Sequence, residues 1–191
     1  GQVLLERYGM TEIGMALSNP YRGERRPGYV GQALPDVAVR LVDEEGDIVT
    51  GEGTPGEIRI QSPTVFLEYW GNAEATEASF SDGWFCTGDI AVIEDGYYRI
   101  MGRSSVDIIK SGGYKLSALE IENKLLAHPQ IAEVAVVGIA DRTWGEAVAA
   151  VVALKGDGDM TVEDLKSWCD GKLSSYKVPK QLQVVDALPR N

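Results

Sequence analysis

The residues from Tyr8 to Glu12, Tyr-Gly-Met-Thr-Glu, bring an aromatic ring, a hydroxyl and a carboxylate together within five positions. Thr11 can donate a hydrogen bond to a phosphate oxygen, and Glu12 can hold Mg²⁺. The ring of Tyr8 offers a surface on which a base can stack. Taken alone, such a pentapeptide is more often a capped turn with a solvated glutamate, so a binding role needs support from other groups.

A second cluster, residues 83–89 (Gly-Trp-Phe-Cys-Thr-Gly-Asp), ends in a carboxylate at the start of a predicted strand. A carboxylate can accept hydrogen bonds from both hydroxyls of a ribose, which is what a nucleotide sugar requires. The alternative is a turn aspartate beside an aromatic core. Asp89 is therefore a candidate sugar-binding residue.

A third cluster runs from Gly102 and Arg103 through Asp107 to the pair Gly112-Gly113, just before a predicted helix. Paired glycines allow the backbone to approach a ligand closely, and a helix N-terminus favours anions. An ordinary glycine turn is the alternative for the pair by itself.

The composition excludes several classes of protein. The chain has 191 residues with 18 basic and 29 acidic side chains, a net charge of −11, which argues against a nucleic-acid partner because phosphates require a basic face. With 44% hydrophobic and 25% charged residues it is globular. No apolar run reaches the length of a membrane span. The two cysteines, Cys86 and Cys169, are too few for a disulfide framework. An intracellular compartment, cytoplasmic or mitochondrial, is the default, but the sequence does not fix it.

The elements that must position these clusters differ between the two halves of the chain. Residues 1–103 are rich in strands, at 37–42, at 57–60 and in a hairpin from 89 to 101, with a short helix at 74–80. Residues 104–191 mix helices at 118–126 and 161–173 with strands at 132–139, 147–154 and 181–185. We expect Ser117 to cap the first of these helices and His128, at its end, to suit a cation. The predicted fold class is α/β and α+β, with a small β-barrel followed by a compact α+β domain.

The order and spacing of the three clusters resemble the adenylate-forming superfamily of acyl-CoA synthetases, luciferases and peptide-synthetase adenylation domains. The similar segments cover nearly the whole chain. They are YGMTE at 8–12, GEIRIQSPTVFLEYW at 56–70, GWFCTGD at 83–89, GRSSVDIIKSGGYKLSALEIE at 102–122 and PRN at 189–191. In such enzymes the β-barrel ends the large adenylating domain and the α+β unit is a mobile small domain.

The resemblance implies ATP, Mg²⁺ and CoA as ligands and assigns roles by position. Tyr8 and Gly9 would bind the adenine, and Thr11 and Glu12 would be catalytic, with Thr11 on the phosphates and Glu12 on Mg²⁺. Asp89 would accept the ribose hydroxyls with help from Arg103.

The resemblance also implies roles for the small domain. A hinge of Ser105, Val106 and Asp107 would let it rotate between an adenylating and a thioester-forming pose, while Gly112 and Gly113 would line the pantetheine tunnel. Family members commonly carry a carboxylate two or three residues after the equivalent of Arg103, whereas here Asp107 follows by four.

The two ends of the sequence suggest a fragment. The chain begins without methionine inside a predicted strand, Gly1–Leu5, and stops at Pro189-Arg190-Asn191. In the family a phosphate-binding loop lies upstream and the catalytic lysine follows the Pro-Arg-Asn stretch. We therefore expect the C-terminal part of a larger enzyme, without ligase activity of its own.

Arg7 bears on which acid is activated, because a guanidinium beside the adenine loop could hold a second carboxylate in bidentate fashion. The stretch LERYGMTE at 5–12, followed by SNPY at 18–21, resembles malonyl-CoA synthetases of the acyl-CoA synthetase family member 3 type. The expected function is ligation of a small carboxylic acid, malonate, to CoA. A structural ion pair of Arg7 with Glu6 or another acidic residue is the alternative at that position. An aryl- or medium-chain ligase, a carrier-loading adenylation domain and a non-catalytic interaction module are the alternatives for the chain.

Overall fold

The structure is a computed structural model that describes residues 4–156 and 158–189. It divides into two compact units, Gly1–Ile100 and Met101–Asn191. The division falls inside a strand and precedes the predicted domain boundary after residue 103, which stays a prediction. Most of the predicted strand Gly1–Leu5 lies outside the described residues, as do Arg190 and Asn191.

The first unit consists of two sheets and one short helix. A three-stranded sheet has the order β1-β2-β3, and a five-stranded sheet has the order β4-β5-β7-β6 with β8 paired to β7. The elements are β1 (Arg7–Met10), β2 (Gly14–Ser18), β3 (Gln32–Ala33), β4 (Ala38–Val42), β5 (Gly56–Gln61), α1 (Ala73–Ala78), β6 (Phe80–Ser81), β7 (Trp84–Glu94) and β8 (Tyr97–Arg103). The predicted strands at 37–42 and 57–60 and the hairpin at 89–101 are confirmed.

The core of the first unit collects the inward residues of both sheets. Leu17 from β2, Leu41 from β4 and Ile58 and Ile60 from β5 are all at most 2% exposed. The alternation along β5, with Ile58 and Ile60 buried and Arg59 between them half-buried, is the period-2 pattern of a strand with one face on a core. This shared core fixes the two sheets relative to each other within the unit.

The second unit is a sheet with two helices. The sheet has the order β10-β9-β12-β11, and β13 runs parallel to β12. The elements are β9 (Ile108–Ser111), β10 (Tyr114–Ser117), α2 (Ala118–Leu126), β11 (Ile131–Asp141), β12 (Gly145–Leu154), α3 (Val162–Cys169), a 3₁₀ helix (Ser175–Lys177) and β13 (Gln181–Val185). The α+β class predicted for this part is confirmed. Among the described residues, none of the helices has the length and apolar character that crossing a membrane requires.

Helix α2 forms because its sequence supplies both a cap and an apolar face. Ser117 Oγ accepts a hydrogen bond from the backbone N–H of Glu120 at 3.1 Å and donates one to the carbonyl of Met101. Ala118, Ile121 and Leu125 follow at helical spacing and are at most 2% exposed. The predicted cap at Ser117 is confirmed.

Replacing Ser117 with alanine is expected to lower the free energy of unfolding of the chain by about 1–2 kcal/mol. The substitution leaves the Glu120 N–H and the Met101 carbonyl without their partner in a buried setting. Urea unfolding followed by circular dichroism measures the change. Ser174→Ala is the matched control, because Ser174 precedes the 3₁₀ helix without a side-chain capping hydrogen bond. Equal loss in the two variants would contradict the capping role.

Candidate functional site

The turn between β1 and β2 carries the predicted phosphate and metal residues. Met10 and Gly14 pair at the ends of the two strands, so Thr11, Glu12 and Ile13 form a three-residue loop. Gly14 has a φ of 65°, the left-handed conformation that such a hairpin loop needs. Ile13 is 1% exposed and anchors the loop in the core. Thr11 is thereby exposed and Glu12 half-buried.

Tyr8 and Asp89 are 81 residues apart in sequence and form a direct contact. The Tyr8 hydroxyl donates a hydrogen bond of 2.6 Å to Asp89 Oδ2. Tyr8 is half-buried on β1, and Asp89 is 8% exposed on β7. The structure thus joins the two residues that the sequence assigned to adenine and ribose, with the hydroxyl edge of the ring turned to the carboxylate.

A bulge in β7 sets the position of Asp89. The pairing of β5 with β7 shifts between Glu57 and Arg59, so Thr87–Asp89 lies opposite a single residue, Ile58. Gly88 takes a φ of 73° within this bulge. Thr87 Oγ1 donates to the Ile58 carbonyl at 2.8 Å and accepts from the Asp89 N–H at 3.1 Å. The hydroxyl of Thr87 therefore holds the backbone of Asp89 in place across the bulge.

Sequence reasoning missed Tyr69 as a residue of this site. Its hydroxyl donates a 3.0 Å hydrogen bond to Glu12 Oε1. Burial, together with this bond to Glu12, raises the pKa of the Tyr69 phenol above its ordinary value, so the phenol stays protonated and able to donate at neutral pH. Tyr69 lies inside the 56–70 segment that resembles the family, but a contact across 57 residues leaves no periodic signal in the sequence.

Arg7 and Gly9 lie on the exposed face of β1. The alternative of an Arg7–Glu6 ion pair is not realised: Glu6 Oε1 instead accepts from the Gly28 N–H at 2.8 Å, and no acidic group within residues 4–156 or 158–189 pairs with Arg7. Gly9 lies so close to the neighbouring strand that a Cβ there would come within 2.2 Å of the Gly14 carbonyl oxygen.

The predicted hinge residues form a turn between β8 and β9. Asp107 Oδ2 accepts from the Arg103 N–H at 2.9 Å, and the Asp107 N–H donates to the Arg103 carbonyl, also at 2.9 Å. Ser105 and Val106 are exposed at the tip, Val106 to 71%. The carboxylate four residues after Arg103 thus closes the turn locally. A hinge motion is untested and stays a prediction.

Gly112 and Gly113 form the two-residue turn of the β9–β10 hairpin. Both have positive φ, 59° and 83°, as a tight primed turn requires. Gly112 also lies against Trp144: its N–H donates to the Trp144 carbonyl at 2.9 Å, and a Cβ would come within 2.7 Å of the ring. Lys180 Nζ lies 4.0 Å from the centre of the same ring. Turn geometry favours glycine at both positions, and packing against Trp144 requires it at Gly112. The role of the pair toward CoA stays a prediction.

The oxygen donors of the first unit fit a hard cation whose other ligands come from a substrate. Across the part of the chain that the structure describes, no three His, Cys, Asp or Glu side chains cluster to hold a metal by themselves. Mg²⁺ is usually bound by one or two carboxylates together with substrate phosphates. Glu12, half-buried on the same turn as the exposed Thr11, matches that mode of binding.

Two family models match the chain. Residues 1–70 match the AMP-binding enzyme model, and residues 120–191 match the AMP-binding enzyme C-terminal domain. The chain is 52% identical over 211 residues to the mitochondrial malonate–CoA ligase ACSF3 of Bos taurus, covering all of this chain and 36% of that protein. It is 50% identical over 203 residues to the malonate–CoA ligase of Arabidopsis thaliana, covering all of this chain and 33% of that protein.

A solved structure agrees with these relatives. The crystal structure of ATP-bound MatB from Rhodopseudomonas palustris superposes with a TM-score of 0.84 at 41% identity, over all of this chain and 38% of that one. The chain therefore spans about a third of the length of the curated relatives it matches. Models at both ends, close relatives along the whole length and a matching fold lead to one conclusion: the chain belongs to the AMP-binding enzyme family.

Proposed function

We propose that this chain is the C-terminal section of an ATP-dependent acid–CoA ligase and that its acid is malonate. The observation that carries the proposal is the direct contact of Tyr8 with Asp89 beside the Glu12 turn. This contact places the half-buried ring of Tyr8 next to a fixed carboxylate, a pairing suited to a base and its ribose. The relatives named malonate–CoA ligases supply the choice of acid.

The reaction has two steps. A carboxylate oxygen of the acid attacks the α-phosphorus of ATP, forming an acyl-adenylate as the bond to pyrophosphate breaks. The CoA thiol, after losing its proton, then attacks the acyl carbon, and AMP leaves with the electron pair of the broken C–O bond. Neither step needs a covalent bond to the protein, so positioning and electrostatic stabilisation supply the catalysis.

In the first step the residues of the first unit hold the nucleotide. The Tyr8 ring stacks on the adenine while its hydroxyl stays on Asp89, whose carboxylate accepts hydrogen bonds from the ribose. Gly9, without a side chain, lets β1 lie close against Gly14 beside the base, and Thr11 donates its hydroxyl to a phosphate oxygen. Glu12 holds Mg²⁺ through its carboxylate. When bound, that cation supplies positive charge where negative charge builds up on the phosphates.

Arg7 selects the acid. It lies one residue before Tyr8 on the exposed face of β1 and is free of any ion pair with the described acidic residues. A guanidinium binds a planar carboxylate through two parallel hydrogen bonds. The second carboxylate of malonate satisfies this group, whereas a monocarboxylate leaves it unmatched.

The second unit acts in the thioester step. The resemblance to the family assigns Arg103 a supporting role toward the ribose and makes the turn of Ser105, Val106 and Asp107 the hinge of the small domain. The glycines at 112 and 113 carry no side chain, so their backbone can lie against the pantetheine arm of CoA.

The test is pyrophosphate release by the full-length gene product that carries this chain, with ATP, Mg²⁺ and CoA. The acids are malonate, methylmalonate, acetate, octanoate and 4-coumarate, and the 191-residue chain alone is the control, expected to be inactive. Turnover confined to the dicarboxylates supports the proposal. Preference for a monocarboxylate would keep the ligase and reject malonate, and no turnover with any acid would favour a non-catalytic interaction module.

A further inference from the structure

One loop of the first unit contacts the Glu12 turn at three points. Thr64 Oγ1 donates to the carbonyl of Ile13 at 2.8 Å, and the Phe66 N–H donates to the carbonyl of Glu12 at 2.7 Å. The Tyr69 hydroxyl donates to Glu12 Oε1 at 3.0 Å. Two of these bonds hold the backbone of the turn, and the third holds the carboxylate itself.

Tyr69 is fixed independently of Glu12. Its backbone N–H donates to Oγ1 of Thr76 in α1 at 2.9 Å. Its ring packs at 4.6 Å from that of Phe66, which in turn packs against the rings of Phe80 and Phe85 in the core. The position of the hydroxyl is therefore set by the core of the unit and not by the glutamate that accepts from it.

We propose that Tyr69 is a positioning residue for the Glu12 carboxylate, holding Oε1 so that Oε2 faces a nucleotide-bound divalent cation. The proposal rests on the proposed function, because it takes Glu12 as the cation ligand. Within the described part of the chain, the structure gives the Glu12 carboxylate no side-chain partner other than Tyr69. One oxygen is thus held by a neutral donor, and the full negative charge remains for the cation.

The expected size of the effect follows from the way outer hydrogen bonds act on metal ligands. A carboxylate on a flexible two-carbon stem must lose rotamer freedom when it binds a cation, and a preset hydrogen bond removes that cost beforehand. Loss of such an outer partner typically weakens metal affinity about 10–100-fold. The change should be confined to cation-dependent steps, because Tyr69 contacts neither the base site nor Arg7.

The experiment measures Mn²⁺ binding to the full-length protein by electron paramagnetic resonance, in the presence of a non-hydrolysable ATP analogue. Tyr69→Phe keeps the ring and removes only the hydroxyl. Tyr29→Phe is the matched control, because the Tyr29 hydroxyl likewise donates to a glutamate, Glu94 at the end of β7. We expect Mn²⁺ affinity to fall about 10-fold or more in Tyr69→Phe and to stay at the wild-type value in Tyr29→Phe.

Wild-type affinity in Tyr69→Phe, or equal weakening in both variants, would overturn the proposal. So would a further loss on adding Tyr69→Phe to Glu12→Gln, since without the carboxylate there is no charged ligand left to position. Thermal unfolding of each variant separates a loss of stability from a loss of cation binding. The measurement needs no acid substrate, so the acid panel can fail while the Tyr69 result stands, and the two failures are distinguishable.

Discussion

In the full-length enzyme, Glu12→Gln is expected to slow adenylate formation about 10²–10³-fold. Glutamine keeps the shape of the side chain and an oxygen that can accept from Tyr69, so the turn should fold as before. What it loses is the negative charge that holds the cation against the phosphates. Malonate-dependent pyrophosphate exchange measures this first step.

The second half-reaction supplies the contrast for Glu12→Gln. Thioester formation from separately synthesised malonyl-adenylate involves no pyrophosphate, and its rate should change by less than about 3-fold, because the group removed acts mainly on the triphosphate. Glu68→Gln removes the same charge from an exposed position next to Tyr69 and is the matched control. Equal slowing of both half-reactions, or equal effects of the two variants, would show that Glu12 acts on the fold and not on the phosphates.

Elements determined by local chemistry were predictable from the sequence. The turn between β7 and β8 uses Asp95 and Gly96, both in the left-handed region at φ 49° and 78°, as an Asp-Gly dipeptide between strands predicts. The cap of α2 at Ser117 follows from a rule of the same kind. In each case the signal lies within four residues, so no knowledge of the rest of the fold is needed.

The end of α3 and the charge of His128 were predicted wrongly. Helix α3 ends at Cys169 and not at residue 173, because Asp170 leaves the helical region with a ψ of 129° and Gly171 adopts a φ of 69°. His128 is buried against Trp168, and burial, with the charge of Lys172, lowers its pKa below the ordinary value. The neutral imidazole instead accepts from the Gln130 N–H through Nδ1. The preference of a helix C-terminus for a cation is thus outweighed by the cost of burying a charged imidazole against Trp168.

The candidate site was only partly predictable for a related reason. The resemblance named Tyr8, Glu12 and Asp89 one by one, but the bond between Tyr8 and Asp89 joins two different sheets of the unit. The partner of Glu12, Tyr69, comes from a loop with no regular periodicity. Cross-sheet contacts depend on how the sheets pack, which short-range patterns do not encode. The contacts that hold the candidate site residues in place therefore could be found only from the structure.

The proposed role of Arg7 in acid choice has a direct test: Arg7→Ala in the full-length enzyme is expected to lower kcat/KM for malonate about 100-fold, mainly through KM. Two parallel charge-assisted hydrogen bonds to the distal carboxylate are lost. Activity toward acetate, which has no distal carboxylate, should change by less than about 3-fold. Arg7 is on the edge of the site with no described acidic partner, so its removal leaves no unpaired charge in the fold.

Arg7→Lys tests whether geometry or charge matters more. Lysine keeps the positive charge but not the planar pair of donors, so its kcat/KM for malonate should lie between those of the wild type and Arg7→Ala. Arg22→Ala, which removes an exposed arginine from the loop after β2, is the matched control for net charge. If Arg7→Ala lowered activity toward malonate and acetate alike, the guanidinium would serve the nucleotide or the fold. Specificity for a dicarboxylate would then have to come from residues outside this chain.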